Sequence, residues 1–263
     1  MVTLKTAEQI AKMREAGKIV AAMLAATRDA VKPGVTTAEL DRIAADVLAR
    51  AGAKSSFLGY YGYPATICTS VNEQIVHGIP GKRKLKEGDI VGIDAGAIVD
   101  GWHADAAITV PVGRISAQAE TLIAVTREAL RRGIAAATVG SRLGDIGATV
   151  QTYVESQGFS VVRNYVGHGI GRAMHEDPQV PNYGTADRGL VIKEGLCIAI
   201  EPMVNVGGTA TRALEDNWTV VTEDGSLSAH FEHTLACLAE GPVVLTLDGS
   251  LDRTRDVTLA AFR

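Results

Sequence analysis

Apolar positions recur at helical spacing in four stretches of the chain. Ile10, Met13, Gly17, Val20 and Leu24 share one face, and Thr6 with Gln9 three residues on supplies a capping box, so the spacing predicts a helix over residues 7–30. Pro33-Gly34 ends it. Thr36 and Glu39 repeat the start signal ahead of Leu40, Ile43, Val47 and Leu48, and Gly52 stops this second helix. A third helix is predicted from Ser116 to Gly133 on Leu122, Ile123, Thr126 and Leu130, and a fourth from about Ser141 through Ile146, Val150 and Val154 to Gly158. Most of the remainder reads as strand, with Asp100-Gly101 as the strongest hairpin turn.

The punctuation of the first half returns in the second. Leu85-Lys86-Glu87-Gly88, leading to Asp94, echoes Ile192-Lys193-Glu194-Gly195, leading to Glu201, 107 positions later. Gly34 answers to Gly140 and Gly52 to Gly158, each 106 positions apart, and His77-Gly78-Ile79 resembles His168-Gly169-Ile170. A period above 100 residues is too long for a solenoid repeat. The expectation is two similar α/β halves, about 1–133 and 134–263, forming a single catalytic domain with a carboxylate from each half at the shared seam.

The chain has 263 residues, of which 46% are hydrophobic and 21% charged, enough for a sizeable core. Lys5, Glu8, Lys12, Arg14, Glu15 and Lys18 interrupt any early apolar run, so neither a signal peptide nor a membrane span is expected, and the cytoplasm is the default location. Cys68, Cys197 and Cys237 form an odd set without metal-type spacing and read as buried thiols. A net charge of −4, with one short basic run at Lys82–Lys86, argues against a nucleic-acid partner.

The chemistry concentrates on charged residues embedded in apolar runs. If Asp100-Gly101 is a two-residue turn, Asp105 faces Gly96, and Asp94 lies diagonal to Asp105 on the same face. Two carboxylates converging on a buried face repel one another unless a cation lies between them. His168 sits among glycines that permit either close backbone approach or positive φ; the pattern is not G-x-G-x-x-G, which argues against a dinucleotide loop. Glu201 ends the run Leu196–Ile200, and Glu232 alternates into another buried strand. Two Asp, two Glu and one His form an oxygen-dominated donor set suited to Mn, Fe, Co or Zn, and five such residues imply bridging carboxylates and two metal ions.

These residues form an ordered set: His77-Gly-Ile-Pro, Asp94, Gly101-Trp-His-Ala-Asp105, Gly167-His168-Gly-Ile-Gly, Met174-His175-Glu-Asp-Pro, Ile200-Glu201-Pro-Met and Phe231-Glu232-His-Thr. The set resembles methionine aminopeptidase, type I, over essentially the whole chain. The resemblance implies the duplicated "pita-bread" α/β (α+β) fold, two pseudo-symmetric halves with antiparallel sheets flanked by helices. It implies removal of the initiator methionine ahead of a small second residue, with a bridging water activated by two divalent ions (Co, Mn, Fe or Zn). Asp94 would chelate one ion, Asp105 and Glu232 would bridge both, and His168 and Glu201 would complete the other. His77, His175 and Glu201 would be catalytic, with His77 and His175 also touching substrate. Phe57, Tyr60, Tyr63, Cys68, Met174 and Trp218 align with the methionine pocket, where related bacterial enzymes often have a smaller residue than Phe57 and an aromatic in place of Met174. Asn72, Gln74 and Ser228 align with a site for one Na or K ion. The implied partners are nascent polypeptide N-termini, at the ribosome, acted on by a monomer. Two rivals are a proline-specific peptidase of the same fold, which usually carries an added N-terminal domain, and a non-catalytic relative, which typically loses ligands.

Overall fold

The computed structural model describes residues 1–247; the last part of the expected second half, 248–263, lies outside the described residues. Four helices form where the periodicity places them: α1 (Ala7–Ala30), α2 (Thr37–Ala51), α3 (Ala117–Ala136) and α4 (Leu143–Ser156). Both predicted capping boxes form, Thr6 with Gln9 and Thr36 with Glu39, each joining a side-chain oxygen to a backbone N–H in both directions. Gly52 closes α2 in the left-handed conformation, which costs a residue without Cβ little.

Two helix bounds differ from the sequence expectation. α3 runs past Gly133 to Ala136, because Gly133 is a packing contact and not a stop: a Cβ there would come within 2.9 Å of Val150 Cγ2 on α4. α4 starts after Arg142, whose backbone N–H donates to the Asp145 carboxylate, while Ser141 bonds back to the carbonyls of Ala136 and Thr138.

One nine-stranded sheet crosses both halves. Its main path runs Lys54–Ser55, Ile90–Val99, Trp102–Pro111, Glu232–Leu238, Cys197–Ile200, Gly167–Gly169 and Glu176–Val180, with Ile67–Val71 and Gly241–Val244 attached to the side. All these pairings are antiparallel. The halves meet where Trp102–Pro111 pairs with Glu232–Leu238. Side chains alternate across the sheet. Ile93, Ala95, Ala97, Ala104 and Ala106 pack under Val20, Met23, Leu40 and Leu48 of α1 and α2. Ile198, Ile200, Leu235 and Cys237 pack under Leu122, Leu130, Ile146 and Val150 of α3 and α4. Each buried Val, Leu, Ile or Met among them contributes about 1.5–3 kcal/mol, so the helices hold one face of the sheet and leave the alternate positions for the cleft.

The internal echo is structural as well. Gly34 donates its N–H to Leu85 O at 2.8 Å, and Gly140 donates to Ile192 O at 2.9 Å. Gly88 and Gly195 adopt φ of 94° and 83°. Among the described residues no helix is long and apolar enough to cross a membrane. Cys68, Cys197 and Cys237 are free and buried.

Candidate active site

Asp94 and Asp105 come from the hairpin of the first half. Asp100 and Gly101 both take positive φ at its turn, and the register pairs Gly96 with Asp105 and Asp94 with Ala107, as a two-residue loop requires. The two carboxylates therefore share a face, opposite the alanines under α1. His168 comes from a short strand next to one edge of the sheet, whose glycines serve close approach, not positive φ. A Cβ on Gly167 would lie 2.3 Å from Ala199 O, and one on Gly169 would lie 2.2 Å from Asp177 O. Glu201 follows the strand Cys197–Ile200, and Glu232 opens the strand across the seam.

These five side chains converge. His168 Nδ1 lies 2.8 Å from Gly169 O, a carbonyl that can only accept, so Nδ1 carries the proton and Nε2 presents a lone pair. That lone pair faces Glu201 Oε1 at 3.7 Å and Asp105 Oδ2 at 3.9 Å. One ligand atom each from Asp105, His168 and Glu232 fits within a 4.8 Å span. Asp94 Oδ1, Asp105 Oδ1 and Glu232 Oε1 are buried without a hydrogen-bond partner among the described residues.

Burial pushes the Asp94 carboxyl up to about 7. Burial, with the neighbouring carboxylates adding to it, raises Asp105, Glu201 and Glu232 well above the usual range. Burial, with His175 close by, lowers His168 to about 3, so the imidazole supplies no positive charge to offset them. Orphaned oxygens, a lone pair aimed among them and four carboxyls without a counter-charge together fit divalent cations.

The cluster opens into a cavity of about 660 Å³, counting the solvent at its mouth, lined by all thirteen residues expected for metal, catalysis and the methionine slot. His175 is oriented by Tyr60, whose hydroxyl lies 2.8 Å from Nδ1. His77 stands edge-on to Trp218 and Tyr165. Phe57, Cys68, Met174 and Tyr63 are nearly buried and form the apolar wall; Tyr63 donates its hydroxyl to the Ile67 and Gly78 carbonyls, which fixes its ring. Trp218 packs edge-on against Tyr63 at 5.0 Å and faces the cavity rather than serving only as core.

Asn72, Gln74 and Ser228 lie outside this cavity. The Asn72 amide bonds Asp89 and the Ile90 N–H, Gln74 accepts from Val71, and Ser228 donates its N–H to Asn72 O and its hydroxyl to Val204 O.

Two residues of the site carry no expectation from sequence. His230 Nε2 lies 3.9 Å from both Glu201 Oε2 and Glu232 Oε2; its signal is the two-residue spacing to Glu232, which places both on one face of an extended chain. Lys5 reaches the loop of His175 through Glu176 at 2.6 Å, a contact with no local sequence signal.

The sequence pattern of metallopeptidase family M24 matches residues 11–238. The methionine aminopeptidase of Clostridium perfringens is 53% identical over 247 residues, spanning 94% of this chain and 99% of that protein. Methionine aminopeptidase 1 of Bacillus subtilis is 51% identical over 246 residues, again 94% and 99%. Among solved structures, the methionine aminopeptidase of Thermotoga maritima superposes with a TM-score of 0.93 at 46% identity, covering 94% of this chain and 100% of that one. The prolidase of Pyrococcus furiosus, with a TM-score of 0.75 at 22% identity over 92% of this chain and 65% of its own, shares the fold alone. A match along most of the chain and half-identical relatives of nearly equal length place this chain in metallopeptidase family M24, among its methionine aminopeptidases.

Proposed function

We propose that the chain removes the initiator methionine from nascent proteins and peptides in the cytoplasm, acting as a monomeric catalytic unit built from both halves. The observation that carries this is one cavity in which an apolar, sulfur- and aromatic-lined slot abuts the five-donor cluster. In this reading Asp94 would hold one divalent ion, Asp105 and Glu232 would be shared between two, and His168 and Glu201 would complete the other. Ions so held supply Lewis acidity toward a peptide carbonyl and an acidified water at neutral pH.

The protein side chains do the rest. Glu201 accepts a proton from the attacking water and delivers it to the leaving amine. His175, with Tyr60 on Nδ1, presents Nε2–H to the oxygen that gains charge at the scissile carbonyl. His77, which also lines the cavity, donates to the peptide nitrogen. Phe57, Tyr60, Tyr63, Cys68, Met174 and Trp218 receive the thioether, and the narrow walls beyond favour a small second residue. The ribosome, as the source of nascent chains, belongs to the same proposal. So does one Na or K ion at Asn72, Gln74 and Ser228, held by backbone carbonyls and one hydroxyl.

The test is release of methionine from Met-Ala-Ser against Pro- and Leu-initiated peptides, using metal-stripped protein re-supplied with Co, Mn, Fe or Zn. Metal-dependent release of methionine alone is expected. Equal cleavage of peptides with bulky second residues would refute the specificity, and turnover of a Pro-containing peptide would refute the substrate class.

A further inference from the structure

His230 is a buried polar side chain of the cleft that the mechanism above does not use. Its ring is 4% exposed, and its Nε2 has no hydrogen-bond partner among the described residues. Its backbone is held firmly: the Thr109 hydroxyl donates to His230 O at 2.9 Å and accepts the His230 N–H at 2.9 Å. The same nitrogen lies 3.9 Å from Glu201 Oε2 and 3.9 Å from Glu232 Oε2. A buried donor left unmet keeps the full penalty of its lost hydration, and an apolar side chain would fill the space without that cost. Packing alone therefore does not account for an imidazole here.

We propose that His230 is a positioning residue of the metal centre, whose Nε2–H points between Glu201 and Glu232, 3.9 Å from each, and draws both carboxylates into their binding orientation by electrostatic attraction; this rests on reading the cluster as a metal centre. His168 has its proton fixed on Nδ1 by a carbonyl and must offer a lone pair at Nε2, which faces two carboxylate oxygens and suits a cation between them. His230 Nε2 is buried without a hydrogen-bond partner among the described residues and faces two carboxylate oxygens of its own, which a proton there attracts and a lone pair would repel. Glu201 is thus bracketed, with His168 on Oε1 and His230 on Oε2. Groups that orient ligands in this way commonly govern metal affinity.

The experiment is calorimetric titration of metal-stripped protein with Mn2+, comparing the natural chain with His230→Leu, His230→Asn and His230→Gln, and with Glu232→Gln as control. His230→Leu is expected to bind roughly 10–100-fold more weakly, with unchanged ions per chain. His230→Gln, whose amide reaches the same place, is expected to recover most of the affinity. His230→Asn, polar but too short, should behave like His230→Leu and serves if that variant does not fold. With Met-Ala-Ser, kcat should fall while KM stays. Thermal melts of metal-free His230→Leu should match or exceed the natural chain, because a buried polar group that makes no hydrogen bond at 3.9 Å from either carboxylate has been removed. Natural affinity in His230→Leu would overturn the proposal, as would loss of one bound ion in every His230 variant, which would make His230 a ligand. If Glu232→Gln binds metal as tightly as the natural chain, the metal-centre reading fails before the role of His230 is reached.

Discussion

Replacing Lys5 with Met tests whether the N-terminal segment fixes the loop that carries His175. The Lys5 side chain is 3% exposed, and its Nζ donates to Glu176 Oε2 at 2.6 Å and to the Thr3 hydroxyl at 2.6 Å. Glu176 also accepts from the Thr3 hydroxyl and from the backbone N–H groups of Arg172 and Ala173, so one carboxylate ties residues 3–5 to the turn before His175. Gly171 is part of this contact, since a Cβ there would meet Lys5 Cε at 2.5 Å. Truncating one partner of a buried ion pair costs about 3–5 kcal/mol. Glu176 keeps three other donors and lies near the surface, so the loss expected for Lys5→Met is roughly 2 kcal/mol, near the value of one charge-assisted hydrogen bond. In a chain of this size that lowers Tm by about 4–8 °C. Met keeps the unbranched stem, and the Lys5 N–H still reaches Gly195 O, so the segment stays in place. Looser placement of His175 should lower kcat about 10-fold in methionine release, within the range that small misplacements of a catalytic group produce. Calorimetric melting and peptide turnover measured on the same preparation decide it. A variant that loses stability but turns over like the natural chain would show that the contact holds the segment and not His175. Unchanged melting as well would refute the energetic reasoning.

Removing the His175 imidazole by His175→Ala should cut kcat by about 100-fold or more with Mn2+ affinity unchanged, and full turnover would dismiss it as the oxyanion donor. Because the buried carboxyls of the cleft repel one another, Mn2+ at about 100 times its Kd should stabilise the fold by roughly 2.7 kcal/mol, raising Tm by about 5–10 °C, and a chelator should reverse the shift. Glu128 is held down to about 2 by its hydrogen bonds to Arg131 and then Arg132, so its folded value lies below its ordinary 4.5. Its contribution is therefore present above pH 4.5 and lost as the pH falls toward 2; after screening at a surface site it amounts to about 1 kcal/mol. Urea unfolding of Glu128→Gln should accordingly fall short of the natural chain at pH 7 and converge with it near pH 2.5.

Much of this was legible in the chain itself, and the exceptions share a cause. The helices could be placed because their signals are local: Thr6 with Gln9, Thr36 with Glu39, and apolar spacing that no partner needs to supply. The hairpin register that puts Asp94 diagonal to Asp105 follows from two turn residues with positive φ. Gly133 misled because a glycine at a helix end and a glycine at a helix crossing look alike until Val150 is seen against it. The glycines around His168 left close approach and positive φ equally open, and only the carbonyls of Ala199 and Asp177 decide between them. Lys5 carried no signal of role and His230 only its two-residue spacing to Glu232, because their other partners, Glu176 and Glu201, arrive from distant segments.

The seam explains why the cleft depends on both halves. Asp94 and Asp105 come from one and His168, Glu201 and Glu232 from the other, yet the ladder joining the halves here pairs only Glu232 with Ala107 and His233 with Ala106. Two threonines extend that short join. The Thr234 hydroxyl donates to Asp105 O at 2.8 Å and accepts the Asp105 N–H at 2.9 Å, and Thr109 does the same for His230. Each hydroxyl takes the place of a strand partner, binding one half's side chain to the other half's backbone, at Asp105 and at His230. Asp105 and Glu232, the two carboxylates proposed to bridge, are thereby held at a separation set by the join and not by their own repulsion. A fold of two similar halves gains from this a cleft in which opposing carboxylates stay close in the absence of the cations that would relieve them.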